Sequence, residues 1–487
     1  MSSRKSLLTR FKVEFGAQLV AAAASGLLMV LLARLLGPDD YGLLFLAIAV
    51  FGVLGVLSKL GIAKSGARYV AEYKEREPSQ LPHIVRTSLT YNVITIAIVG
   101  AILFVGHRWV ADLIGEPELA PFLLLGVLYL AVETLKVYVR IVLQGFEAIE
   151  YASAIYALDQ VSRLLFAVGF VLLGFGALGA LAGYVLSFAL AASVGFGVVY
   201  VRLYRPHRGS SPVEVGLRRR IAEYTLPLTA TSTANVLDKQ VDTILVGLFL
   251  NPVAVSYYVL SKQIVTFLEK PVSALGFTLS PTFGAEKASG SIDRAARLYE
   301  EALVYSLLLY IPVAAGVVLV AEPTIELVFG TEFLGATIVL QVLAFYAVLQ
   351  SITKLTSNGL DYLGRAKHRA IVKGITSVLN VLLNIVLIPM IGVVGAAIAT
   401  VITYSMYTGA TFYIIHGEFE LRIRYLVHRL LQIVGVTGVM AGVVFIGIGF
   451  VGGALSLAGL VLVGIVVWGL LSVVTGLIDP QKLTTYR

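Results

Sequence analysis

The sequence predicts an all-α integral membrane protein of about fourteen spanning helices, and three observations predict it. The 487 residues are 58% hydrophobic and only 14% charged, with a mean hydropathy of +0.89, a composition outside the range of soluble globular domains. Apolar runs long enough to cross a bilayer recur from end to end, among them "VITIAIVGAILFVG" from Val93 and "LLFAVGFVLLGFGALGALAGYVLSFALAASVGFGVVYV" from Leu164. The basic residues, finally, alternate with those runs as loops on one side of a membrane do.

Taken in order, the first six spans are expected at residues 12–36, 41–62, 87–106, 119–143, 151–174 and 178–201. Six more follow at 221–249, 253–280, 299–320, 333–356, 367–389 and 393–415, and a last pair lies near 429–449 and 453–476. The opening "MSSRKSLLTRFK" is basic and runs into the first apolar stretch without a cleavage pattern, so it reads as the start of a spanning helix and not as a signal peptide. Pro227, Pro271 and Pro312 fall in or near spans, where the missing amide hydrogen allows a bend.

Basic clusters fall before the first span and after even-numbered ones. They include Lys64, Arg68, Lys74, Arg76 and Arg86, then Arg202, Arg205, Arg208 and Arg218 to Arg220, then Arg365, Lys367, Arg369 and Lys373. The odd-numbered connections instead carry "GPDD" from Gly37, "GEPE" from Gly115 and the acids Glu322, Glu326 and Glu332. By the positive-inside rule the chain is a multi-pass protein of the cytoplasmic membrane with both termini in the cytoplasm.

An internal repeat is also legible. "QGFE" at Gln144 and "NGLD" at Asn358 lie 214 residues apart, as do Pro38 and Pro252, while "GALGA" from Gly176 meets "GVVGA" from Gly392 at an offset of 216. Six helices per copy is an even number, so both copies start from the same side. The expected organisation is an N-lobe over 1–206, a basic cytoplasmic linker over 207–220, a C-lobe over 221–416 and an appended helix pair over 429–476.

Composition excludes whole classes of function. There is no Cys, which removes disulfides, thiolate metal sites and thiol catalysis. The six His residues lie at or between the ends of apolar runs, which argues against a buried metal centre or proton relay. No phosphate-binding Gly loop, H-E-x-x-H motif or catalytic triad occurs. The chain is therefore expected to be no enzyme and to need no metal or cofactor, with any energy drawn from an H+ or Na+ gradient, a substrate gradient or a partner. The net charge of +8 reflects topology and not nucleic-acid binding.

The residues that point to function are charges inside apolar spans. Thr231, Asn235, Asp238 and Asp242 are spaced by 4, 3 and 4 residues, one stripe of a helix. Lys262, Thr266, Glu269 and Ser273 repeat that spacing on the next helix, with Lys270 adjacent. A charged residue at mid-membrane costs about 2.5 to 3.5 kcal/mol on insertion scales, so such stripes face a partner helix or a wet cavity. Glu14, Gln18 and Ser25 make a milder stripe on the first helix, and Lys59 ends the second. Glu133, Lys136 and Arg140 share a face of the fourth helix, and Asp159 and Arg163 are one turn apart on the fifth; these read as inter-helix ion pairs or snorkelling groups.

Four stretches carry a resemblance: "LARLLGPDDYGLLFLAIAV" from Leu32, "KLGIAKSGARYVAEY" from Lys59, "QGFEAIEYAS" from Gln144 and "NVLLNIVLIPMIGVVGAAIATVITY" from Asn380. Across essentially the whole chain the sequence resembles the polysaccharide transporter family, the Wzx-type flippases of the multidrug/oligosaccharidyl-lipid/polysaccharide superfamily. The resemblance implies a V-shaped pair of six-helix lobes that moves polyprenyl-phosphate or polyprenyl-diphosphate linked oligosaccharide between leaflets. It also implies a cationic cavity lined by helices 1, 2, 7 and 8 and a lipid-tail groove from helices 13 and 14. The related lipid II flippases carry Arg within helix 1; this chain has Glu14 and Gln18 there, with Arg34 only at the outer end.

In that scheme Lys59, Lys262 and Lys270 attract phosphate, Gln18, Thr231, Asn235 and Thr266 bond sugar hydroxyls, and Glu14, Asp238, Asp242 and Glu269 take the coupling cation or proton. The expected partners are lipid-linked oligosaccharide, membrane lipids and glycosyltransferases or a polymerase. A cation-coupled multidrug exporter of the same superfamily is the alternative, and a membrane scaffold for glycosyltransferases is a third reading.

Overall fold

The computed structural model describes the backbone of residues 2–207 and 212–478, with side chains described throughout except at 2–13, 226–227, 230–238 and 270–278. Every predicted span falls on helix. The first two share α1 (Ser2–Lys59), interrupted at Gly37, whose φ of 71° and ψ of 175° break the helical backbone. Glycine tolerates that conformation, and Pro38, with its fixed φ and no amide hydrogen, starts the second arm.

There follow α2 (Ile62–Arg76), α3 (Leu81–Ile114), α4 (Leu119–Gly145), α5 (Ile149–Phe170), α6 (Gly176–Val198) and α7 (Leu217–Phe249). The next predicted span is two helices, α8 (Pro252–Leu268) and α9 (Lys270–Ala288). Pro271 has no amide hydrogen for the preceding turn, and the Tyr310 hydroxyl donates to the Leu268 carbonyl at 2.7 Å, satisfying an acceptor at the break. Then come α10 (Ile292–Thr324), α11 (Ala336–Tyr362), α12 (Ala366–Ile391), α13 (Val393–Phe419), α14 (Ile423–Ile448) and α15 (Ala454–Val474).

Ten stretches of the described residues are long and apolar enough to span a membrane, and two of them, Glu14–Lys59 and Ile149–His207, are long enough for two crossings each. Helix α7 and the α8–α9 pair occupy the two remaining predicted spans, α8 being only 17 residues long, and with them the fourteen-helix reading is complete.

The chain divides into two compact units, Met1–Val255 and Ser256–Arg487. In the first, α5 packs on α6 and α1, α3 on α4, and α7 on α1 and α2. Glycines allow close approach: a Cβ at Gly183 would fall 2.4 Å from the Ala167 amide nitrogen, and one at Gly145 would fall 2.6 Å from the Ala67 carbonyl. Small residues are how membrane helices pack, since lipid supplies no hydrophobic drive between them. In the second unit α11 and α12 pack on α13, α10 on α11, and the α14–α15 pair sits against α10 around Val304, Leu308, Ile433 and Val436.

Helix α2 has no counterpart among the predicted spans. It buries Ile62, Tyr69, Val70 and Tyr73 in the first unit and holds the chain segment that leads into α7. Gln80 donates to the Pro212 carbonyl at 2.9 Å and accepts from the Glu214 amide at 3.1 Å. Ser65 donates to the Ile221 carbonyl at 2.8 Å, and the Arg68 guanidinium lies 4.0 Å above the Tyr224 ring.

Candidate functional site

In the first unit, polar side chains of α1, α4 and α5 meet inside the helical bundle. On α4, Glu133, Lys136, Arg140 and Gln144 recur at three- and four-residue spacing, so they share a face. Lys59 pairs with Glu133 at 2.7 Å. Asp159 accepts from Lys136 at 2.9 Å and from Arg163 at 2.7 Å, and its side chain is 3% exposed. A buried carboxylate between two cations is tolerated because each charge offsets another's desolvation. The Lys136 ammonium also lies 3.5 Å from the centroid of Phe188, and the Arg163 guanidinium 4.9 Å from it. Lys136–Asp159 joins α4 to α5 and Asp159–Arg163 lies within α5, pairs of the kind the spacing suggested, whereas Glu133 is taken by Lys59, a residue expected at a phosphate site.

Below that layer a cavity of about 260 Å³ is lined by Glu14, Gln18, Arg140, Gln144, Ser153 and Tyr156, with Ile149 and Ala152. The Glu14 carboxylate accepts from the Gln18 amide at 3.0 Å and from the Ser153 hydroxyl. Arg140 lies 4.9 Å above the Tyr156 ring. Glu14 and Gln18 were therefore legible as polar groups of helix 1, whereas their partners on α4 and α5 were not singled out as a site. The signal was present: Arg140 and Gln144, four apart, and Ser153 and Tyr156, three apart, each present one helical face.

The stripe on α7 is described in part. Asp242 is buried at 2% exposure and Lys239 is exposed; the side chains of Thr231, Asn235 and Asp238 lie outside the described residues. Helix α7 packs closely on the second arm of α1, where a Cβ at Gly247 would meet the Leu46 side chain at 2.6 Å.

In the second unit Lys262 is half-buried with its ammonium 5.1 Å from the Tyr258 ring centroid. Thr266 is exposed, and Glu269, 8% exposed, sits at the break between α8 and α9. The Lys270 side chain lies outside the described residues.

Helices α11, α12 and α13 of this unit bring together a second polar layer that sequence reading missed. Tyr346 meets Tyr404 edge-on at 4.6 Å. Lys373 donates to the Tyr404 hydroxyl at 3.2 Å and lies 4.3 and 5.0 Å from the ring centroids of Tyr404 and Tyr407. Asn384 donates to the Asn380 carbonyl at 2.9 Å, and Asn380 donates to the Thr403 hydroxyl at 3.3 Å. Tyrosine gave no signal because it is common at both membrane interfaces.

Outside the spans, Tyr73, Glu214 and Arg220 form a clasp: Arg220 donates to Glu214 at 2.6 Å and to the Tyr73 hydroxyl at 3.1 Å, and Tyr73 donates to Glu214. The hydrogen bonds from Tyr73 and Arg220 hold the Glu214 carboxyl below the usual range. Burial, with Glu214 beside it, pushes the Tyr73 phenol up.

Fold and site together define a multi-pass helical membrane protein with polar faces built into its spans, an arrangement used to pass polar cargo through a bilayer. The chain belongs to the family described as Polysaccharide biosynthesis protein, which it matches over residues 10–285; residues 227–386 also match the MatE family. The probable low-salt glycan biosynthesis flippase Agl15 of Haloferax volcanii is 24% identical over 401 residues, 81% of this chain and 80% of that protein. Lipopolysaccharide biosynthesis protein WzxC of Escherichia coli is 23% identical over 424 residues, 83% of this chain and 78% of that one. Among solved structures, the lipid II flippase MurJ in its inward closed conformation matches with a TM-score of 0.77 at 16% identity, over 96% of this chain and 98% of that one. The fold is thus shared with that superfamily, as the sequence predicted.

Proposed function

We propose that the protein is a flippase that carries polyprenyl-phosphate or polyprenyl-diphosphate linked oligosaccharide across the cytoplasmic membrane by alternating access, for polysaccharide or glycan assembly. The observation that supports this reading is a layer of ionic and hydroxyl side chains inside apolar helices of a chain whose family is that of polysaccharide biosynthesis proteins. The glycan and phosphate travel along polar faces while the lipid tail stays in the bilayer.

Lys262 and Lys270 attract the phosphate, Lys59 does so by exchanging its Glu133 partner for it, and Gln18, Thr231, Asn235 and Thr266 bond sugar hydroxyls. Glu14, Asp238, Asp242 and Glu269 serve H+ or Na+ coupling; Asp242 and Glu269 are buried, and ionisable groups inside spans mark ion pathways. Both termini lie in the cytoplasm by the charge pattern of the loops, where glycosyltransferases or a polymerase dock. The protein acts without catalysing a covalent step.

The test is deletion of the gene, followed by measurement of which leaflet holds lipid-linked sugar. Accumulation on the cytoplasmic leaflet is expected; absence of any accumulation contradicts the reading. The match of residues 227–386 to the MatE family supports a second reading, a cation-coupled multidrug exporter. Drug resistance on expression, with surface glycans unchanged, decides for it.

A further inference from the structure

Among the described residues of α1, α4 and α5, Lys59, Lys136, Arg163 and Arg140 lie at the polar layer and its cavity, and they differ in one respect. Lys59 is neutralised by Glu133, and Lys136 and Arg163 share Asp159. Arg140 pairs with no acid among the described residues: its guanidinium lies over the face of Tyr156, and it is exposed on the wall of the 260 Å³ cavity. Glu14, the acid that lines the same cavity, accepts from other donors, the Gln18 amide and the Ser153 hydroxyl.

A guanidinium lying on an aromatic face is held in place while the N–H fork in its own plane stays open. That fork matches the two oxygens of a carboxylate or phosphate. The same wall carries the Gln144 amide and the Tyr156 phenol, which add a donor and a donor–acceptor of the kind that read sugar hydroxyls. The cavity is smaller than the roughly 300 Å³ at which drug-sized ligands are accommodated, so it takes one unit of a chain and not a whole oligosaccharide.

We propose that this cavity is an oxyanion subsite for a single anionic sugar unit, with Arg140 stacked on Tyr156 as the anion-binding group and Gln144 and Tyr156 as hydroxyl-reading groups. The bound group is the carboxylate of an acidic sugar or the phosphate next to the first sugar. This rests on the flippase reading and names a substrate feature within it: cargo is first held by the cytoplasmic ends of α1, α4 and α5, at the mouth of the first unit. Glu14, kept in place by Gln18 and Ser153, completes the wall and disfavours a second anionic group.

The test uses the full-length chain in lipid nanodiscs and calorimetric titration with glucuronate, glucose 1-phosphate and neutral glucose. Wild type is expected to bind at least one anionic probe more tightly than glucose, in a manner that weakens with added salt. Arg140→Gln should weaken anion binding about tenfold or more and leave glucose binding unchanged, because a charge-assisted fork is removed. Arg140→Lys should fall between them, since it keeps the charge and loses the fork; it also serves if the Gln variant does not fold. Tighter binding of glucuronate assigns the site to an acidic sugar, and tighter binding of glucose 1-phosphate assigns it to the phosphate.

Equal anion binding by wild type and Arg140→Gln, or anions no tighter than glucose, overturns the proposal. Translocation of lipid-linked glycan by wild type is measured in parallel. Translocation with no Arg140-dependent binding removes the subsite and leaves the flippase; Arg140-dependent binding with no translocation does the reverse.

Discussion

The polar layers of the two units stand at repeat-related positions and solve the same problem differently. Phe188 on α6 and Tyr404 on α13 are separated by the 216-residue offset, and each ring carries a lysine ammonium, that of Lys136 at 3.5 Å and that of Lys373 at 4.3 Å. In sequence, the 214-residue offset relates Asp159 to Lys373 and Arg140 to Lys354. So the first unit uses a buried acid to neutralise two cations, whereas the second puts a cation where that acid stood and surrounds it with tyrosines. The repeat preserves the aromatic platform and lets the charge on it change sign. The first layer is closed by ion pairs, and the second is held by cation–π and hydroxyl contacts.

That contrast can be broken by substitution. Asp159→Asn strands the Lys136 and Arg163 cations in the first unit and should cost about 3 kcal/mol or more, as removing one partner of a buried ion pair does; thermal unfolding in detergent measures it. Lys373→Gln should cost about 1 kcal/mol, the scale of a cation–π contact. Equal losses would remove the distinction. Lys262→Ala should leave the unfolding temperature near wild type yet stall glycan export, read as lost surface glycan, whereas normal surface glycan would take Lys262 out of the phosphate path.

The ring pair sharpens the comparison. Phe188→Leu and Tyr404→Leu should each lose about 0.5–2 kcal/mol, more for Phe188, which faces two cations in a drier place. The smallest effect belongs to the clasp outside the membrane. Because the Glu214 carboxyl is held low by Tyr73 and Arg220, its contribution is complete above the ordinary carboxylate range and is lost as pH falls through its lowered value. Protection factors of the 212–221 amides, corrected for the intrinsic pH dependence of exchange, should therefore fall in acid in the wild type, and Glu214→Gln should flatten that dependence.

Much of the fold was open to reading because apolar length and loop charge are set by the bilayer itself. Helix α2 escaped since it is amphipathic and charged, "IAKSGARYVAEYKER", and so failed an apolar-run criterion. The break at Glu269 was hidden because Pro271 marks a possible bend without saying whether the helix resumes in line. Within the site, Asp159 and Arg163 could be paired from their four-residue spacing. That Lys136 joins them depends on how α4 packs against α5, which no local pattern encodes. Arg140 was grouped with the structural cations for the same reason: its stripe is visible, but that it meets Tyr156 and pairs with no acid among the described residues is a tertiary fact.

The most direct measurement places the purified protein in sealed vesicles containing polyprenyl-diphosphate linked oligosaccharide and follows glycan accessibility to an added glycosidase. Protein-dependent loss of the inner-leaflet protected fraction over time, slowed by Lys262→Ala, is the predicted result. Protection that stays at the level of protein-free vesicles would contradict the account.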